Sequence, residues 1–169
     1  MFVGCSQLTT LNLSTFNTQN VLDMEQLFRD CNGLTSLNVS NFNISNVINM
    51  TSMFRGCSSL TNLNLSNFNT SNVRDMSSMF DGCSGLANLN LSQFDIGLVV
   101  EKGYMCRNLS TTSGECTITC PPEVEDAIKE VNPNYDPDAY EWEQSHYYYL
   151  TGLPTSGVTF IWQRPSSSK

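Results

Sequence analysis

Apolar residues recur along this chain in a fixed order every 26 positions. Phe2, Phe28, Phe54 and Phe80 form one column, and Leu8, Leu34, Leu60 and Leu86 another. Leu11, Leu37, Leu63 and Leu89 keep the same step, as do Leu13, Val39, Leu65 and Leu91. Phe16, Phe42, Phe68 and Phe94 follow, then Val21, Val47, Val73 and Val99, with Met24, Met50 and Met76. Self-similarity at a period of 20–50 residues is the mark of a stacked-repeat architecture. One unit cannot bury its own apolar face, so neighbouring units must bury it against each other.

Within a unit the polar spacing changes. Leu60, Leu63 and Leu65 end in alternation, which predicts a short strand with its leucines inward. Val73, Met76, Met79, Phe80 and Cys83 step by three and four, which predicts one face of a short helix. Asn72 with Asp75 looks like an N-cap followed by a first-turn acid, and Asn20 with Asp23 and Asn46 with Asn49 repeat it. Gly33 and Gly85 stand where the helix would end on a left-handed residue. Strand, loop, helix and return make one coil per unit.

The pattern L-x-x-L-x-L-S-x-F-x-T-S-x-V-x-x-M-x-x-M-F-x-G-C-S-S, met from Leu60 at every place but the last, where Gly85 stands, resembles the repeat of BspA-type leucine-rich-repeat surface proteins of bacteria. That resemblance implies a solenoid of α/β class, with a parallel sheet on one face and short helices on the other. It also implies a secreted or cell-surface protein that adheres to matrix or host proteins. Residues 1–106 would hold four repeats, and 107–169 a small α/β cap. Met1 falls on the column of Leu27, Met53, Met79 and Met105, so the chain is expected to begin inside a coil, with further sequence before it.

Composition narrows the partners. Charged residues are 14% of the chain and the net charge is −8. Such an acidic surface does not suit a phosphate backbone, so nucleic acid is excluded as a partner. No apolar run is long enough to cross a membrane as a helix. Nothing in the pattern calls for association between copies, so a monomer is expected.

Four of the seven cysteines, Cys5, Cys31, Cys57 and Cys83, form a column. If each lies on a helix, neighbouring helices at about 8–10 Å keep them beyond disulfide reach. They then read as buried thiols that pack as small hydrophobes. Cys106, Cys116 and Cys120 lie outside that column, and a disulfide from Cys106 to Cys116 or Cys120 suits an oxidising compartment.

Beyond the repeats, CTITC (116–120) and GVTFIW (157–162) read as strands, and EVEDAIKEV (123–131) as a helix opened by Pro121 and Pro122. The segment 132–156 is acidic and aromatic, with Tyr147, Tyr148 and Tyr149 as candidate contact residues. Asn132, Asn134, Asp136, Asp138 and Glu143 echo a calcium loop, but Pro137 takes the place of the turn glycine, so no metal is assigned. His146 is the only histidine, and no nucleophile motif, phosphate loop or zinc motif is present. The chain is therefore read as non-enzymatic and without cofactor.

What remains for recognition is the polar side of the strand segments: Asn12, Asn38, Asn62, Asn64, Asn88 and Asn90, with neighbouring Ser and Thr. This uncharged lattice without aromatics favours an extended polypeptide over a stacked sugar. A solenoid serving only as a spacer or stalk is the alternative.

Overall fold

The computed structural model describes residues 1–101, 103–109, 116–120 and 158–162. Successive 26-residue units lie side by side in parallel. They are taken below as repeats 1 to 4, residues 1–26, 27–52, 53–78 and 79–104. Five short strands are present: β1 Ser36–Leu37, β2 Asn62–Leu63, β3 Asn88–Asn90, β4 Cys116–Cys120 and β5 Val158–Trp162. β1 pairs with β2, Ser36 facing Asn62, while β3, β4 and β5 form a second parallel sheet. Both strands expected in the tail are thus found, in register beside the last repeat. The expected helix at 123–131, the 132–156 segment, its calcium-like positions and His146 lie outside the described residues.

The strand leucines point inward as expected: Leu60, Leu63 and Leu65 are buried, and the intervening Asn62 and Asn64 are exposed. The strands are shorter than the leucine pattern because an asparagine closes each one. Asn64 Oδ1 accepts the Ser66 N–H at 3.0 Å, bending the chain away from the ladder.

The helix expectation is corrected. No helix occurs among the described residues, and within 73–83 the chain makes a bridge at Asp75 and a run of turns over 77–82. Leu27 N–H donates to the Met24 carbonyl at 3.2 Å, and Cys31 N–H to the Phe28 carbonyl at 3.2 Å. Gln26 and Asp30, the third residues of these two turns, have φ of 54° and 58°. A positive φ at the third residue is the mark of a type II turn, and a right-handed helix has no place for it. The same pair recurs at Ser52 and Gly56, and at Ser78 and Gly82.

Every backbone N–H of this ribbon between 24 and 31 is hydrogen-bonded. Between 24 and 31, alternate N–H groups close turns and the others reach the next repeat. Met24, Gln26, Phe28 and Asp30 donate to the carbonyls of Asn49, Thr51, Met53 and Arg55 at 2.7–2.9 Å. Leu27, Arg29 and Cys31 close turns three residues back. Glu25 N–H goes to Asp23 Oδ1 at 2.7 Å. Residues 50–57 and 76–83 repeat the scheme. A helix would donate these groups within itself. The inward residues, Met50, Met53, Phe54 and Cys57, nevertheless have helical spacing, and all are fully buried.

Gly33 and Gly85 also differ from expectation. Neither has a positive φ. A Cβ on Gly33 would sit 2.5 Å from the Ser6 carbonyl oxygen, and one on Gly85 2.7 Å from that of Ser58. Close backbone approach between repeats, not helix termination, is what glycine permits at these two positions.

Phe2, Phe28, Phe54 and Phe80 stack through the core. Their centroids are 5.6, 5.7 and 5.8 Å apart, with planes within 11° of parallel. Polar side chains join the same interfaces. Asn41 Nδ2 donates back to the Leu13 and Phe16 carbonyls, and Asn67 Nδ2 to those of Val39 and Phe42. Thr18 Oγ1 donates to the Asn43 carbonyl and accepts the Asn43 N–H, and Thr70 does the same with Asp95. Buried Asp81 lies between Arg55 at 3.4 Å and Arg107 at 2.6 Å, linking three successive stretches of chain.

Candidate functional site

The outward side of the strand segments carries the residues singled out from the sequence. Asn12, Asn38, Asn62, Asn64, Asn88 and Asn90 are all exposed. β1 and β2 bring Asn62 beside Ser36, and β3 faces β4 with Asn88 opposite Thr117. The second set is more ordered than exposure alone implies. Asn12, Asn38, Asn64 and Asn90 each accept, through Oδ1, the N–H of the serine two residues on, at 3.0 Å in every case. Each such bond holds the amide plane in one orientation and leaves Nδ2 as the outward donor. Four amide donors therefore stand in a column, one per repeat. β1 and β2 pair directly while β2 and β3 belong to different sheets, so the donors recur once per repeat rather than along one continuous ladder.

A cleft of about 150 Å³ opens at the first step of this column, lined by Leu11, Asn12, Leu13, Ser14, Asn38, Ser40 and Asn41. It offers amide and hydroxyl groups above an apolar floor. Tyr147, Tyr148 and Tyr149, the aromatic candidates, lie outside the described residues.

Asparagine turned out to do more than line the surface. Three Asx turns recur in each of repeats 1 to 3, and the first two of them also in repeat 4. Besides the set above, Asn17, Asn43, Asn69 and Asp95 accept the N–H two residues on at 2.9–3.1 Å, and Asp23, Asn49 and Asp75 do so at 2.7–2.9 Å. The signal was visible as repeated N-x-S triplets, which are the residue choice of an Asx turn followed by a small residue. The expected caps at Asn46 and Asn72 have another role. Their Nδ2 groups donate to the Gln19 and Ser45 carbonyls of the preceding repeat at 2.8 Å.

The expected burial of the column cysteines holds for three of the four and is corrected for Cys5, which is exposed in repeat 1. Cys31, Cys57 and Cys83 are fully buried, and their thiols donate to the Phe2, Phe28 and Phe54 carbonyls at 3.0–3.2 Å. Cys5, Cys31 and Cys57 are unbridged. The helix spacing on which the expected absence of bridges rested does not apply here; for Cys31, Cys57 and Cys83 a carbonyl 29 residues back takes the thiol proton. Burial pushes the Cys57 thiol up to about 12 and raises Cys31 as well. Cys106 is buried at the next place in the phenylalanine column; the side chains of Cys116 and Cys120, and with them the bridge expected from Cys106 to one or the other, lie outside the described residues.

Among the described residues no group of three His, Cys, Asp or Glu is placed to hold a metal. No described helix is long and apolar enough to cross a membrane.

The repeat and its Asx turns run through the region matched by one protein family, described as Mycoplasma protein of unknown function, DUF285, over residues 1–118. The chain belongs to this DUF285 family. The DUF285 match takes in all four repeats and reaches into β4. No curated protein and no solved structure matches the chain.

Proposed function

We propose that this DUF285 chain is a leucine-rich-repeat solenoid of the BspA type that recognises an extended polypeptide along its strand face, without catalysis, at the cell surface or after secretion. The column of amide donors at Asn12, Asn38, Asn64 and Asn90 is the observation that carries the reading. Donors held in a fixed orientation by their Asx turns meet backbone carbonyls with little loss of side-chain freedom on binding. The surrounding face is exposed and uncharged, so orientation comes from hydrogen bonds rather than from steering. The absence of aromatic side chains among its residues argues against stacked sugars.

The test uses the Asx turn itself. Asp and Asn both make this turn, as Asp23, Asn49 and Asp75 demonstrate in one column. The triple change Asn38→Asp, Asn64→Asp and Asn90→Asp therefore keeps the fold and removes the outward donors. Binding to immobilised extracellular-matrix proteins should fall at least about tenfold, a loss of about 1.4 kcal/mol. Retained binding would remove the strand face from consideration.

A second reading has its own support. The same asparagine oxygens stabilise turns, which is what a spacer or stalk needs and no more. Failure of the unaltered chain to bind any matrix protein would favour that reading.

A further inference from the structure

Leu22, Ile48 and Val100 occupy one column with Arg74, and they are 59%, 44% and 73% exposed. The column is a continuous ladder. Ile48 N–H donates to the Leu22 carbonyl at 2.8 Å, Arg74 to Ile48 at 2.8 Å, and Val100 to Arg74 at 2.9 Å. The residues that follow, Asp23, Asn49, Asp75 and Glu101, bridge one another in parallel. An apolar row holding one cation thus runs beside a row of three acids. Single exposed aliphatic residues need no explanation, but three at the same place in repeats 1, 2 and 4, with only Arg74 between the second and third, form a patch. The core does not require them, since Arg74 fills the same place.

We infer that this row is a second binding surface, distinct from the strand face, and that its occupant is an apolar polypeptide segment bearing basic residues. Charge selects among the possible occupants. A second copy of the chain would bring Asp23, Asp75 and Glu101 against their equivalents, and both copies carry a net charge of −8. An anionic membrane surface is repelled by the same acids. A cationic amphipathic segment places its aliphatic side chains on Leu22, Ile48 and Val100 and its Lys or Arg groups beside the acid row. Complementary charge also speeds encounter, most strongly at low salt.

A synthetic amphipathic Leu/Lys peptide serves as the probe, with a Leu/Glu peptide as its counterpart, both followed by fluorescence anisotropy. The variant Leu22→Thr, Ile48→Thr, Val100→Thr should weaken the Leu/Lys peptide at least about tenfold. Asp23→Asn with Asp75→Asn, a pair of changes that Asn49 shows the turn accepts, should weaken it further at low salt and flatten its salt dependence. The strand-face variant Asn38→Asp, Asn64→Asp, Asn90→Asp should leave it unchanged. Unaltered binding to the threonine variant overturns the proposal, as does equal affinity for the Leu/Glu peptide. Sedimentation of the unaltered chain as a dimer that the threonine variant converts to monomer assigns the row to a second copy instead.

Discussion

At the scale of single residues, the most informative position is the cysteine column. A buried Ala would fill the space less well, and a buried Ser would carry a more strongly hydrated hydroxyl; a thiol packs as a hydrophobe and still donates weakly to a carbonyl. Cys57 makes the consequence measurable. Its folded-state value, about 12, lies above an ordinary value of 9.0 because burial disfavours the thiolate. The folded state therefore holds this proton more tightly than the unfolded chain. The associated stability is fully present below about pH 9 and is lost as pH rises toward 12. Chemical denaturation in alkaline buffers should show a falling midpoint across that window, and Cys57→Ala should reduce the fall. Asparagine was legible only in part. Its columns were visible, and so was their exposure, but oxygen-to-backbone turns and amide-to-carbonyl ties between repeats look identical in a sequence. Only the position of the neighbouring repeat separates Asn64, which closes its own turn, from Asn67, which reaches back to Phe42.

At the scale of elements, the strands were legible and the helix was not. The inward residues of the turn ribbon step as 50, 53, 54 and 57, which is also the step of a helical face. Periodicity reports which side chains point inward and is silent on whether N–H groups bond within the segment or to the next repeat. The clue lay in weak helix formers, such as Gly56, Gly82, Ser52 and Ser78, at the places that require positive φ. Gly82 tests this assignment. Its φ is 76°, and an added Cβ would come no closer than 3.7 Å to Gly56. Space is available, so Gly82→Ala should cost only the left-handed penalty, about 1–2 kcal/mol. Urea denaturation reads the loss directly. In a helix the same change would stabilise the protein by about 1 kcal/mol, so the sign decides between the two descriptions.

At the scale of the whole molecule, the phenylalanine stack ties the repeats into one body, and its contribution varies along the stack. Phe54 is fully buried with a ring on either side, whereas Phe2 is half-buried with a single stacked neighbour in its column. Phe54→Ala should cost about 3–5 kcal/mol and Phe2→Ala clearly less, by thermal or urea unfolding. Equal losses would mean that the rings contribute locally and do not act as a stack. The ladder beside those rings has a further consequence. The Phe28 N–H donates to the Met53 carbonyl, and the peptide unit bearing that carbonyl also bears the Phe54 N–H, which donates to Met79; Phe80 continues to Met105. Peptide units 26 residues apart are thus joined head to tail, and three parallel lines starting at Met24, Gln26 and Asp30 do the same. Each unit carries a dipole of about 3.5 D. The turn ribbons accordingly build a macrodipole across the repeats, as a helix does along its residues, with its negative pole at repeat 1 and its positive pole beyond repeat 4. Each repeat in the stack lengthens that dipole, so the two ends differ electrically even where their side chains are alike: the first favours cations, the last anions.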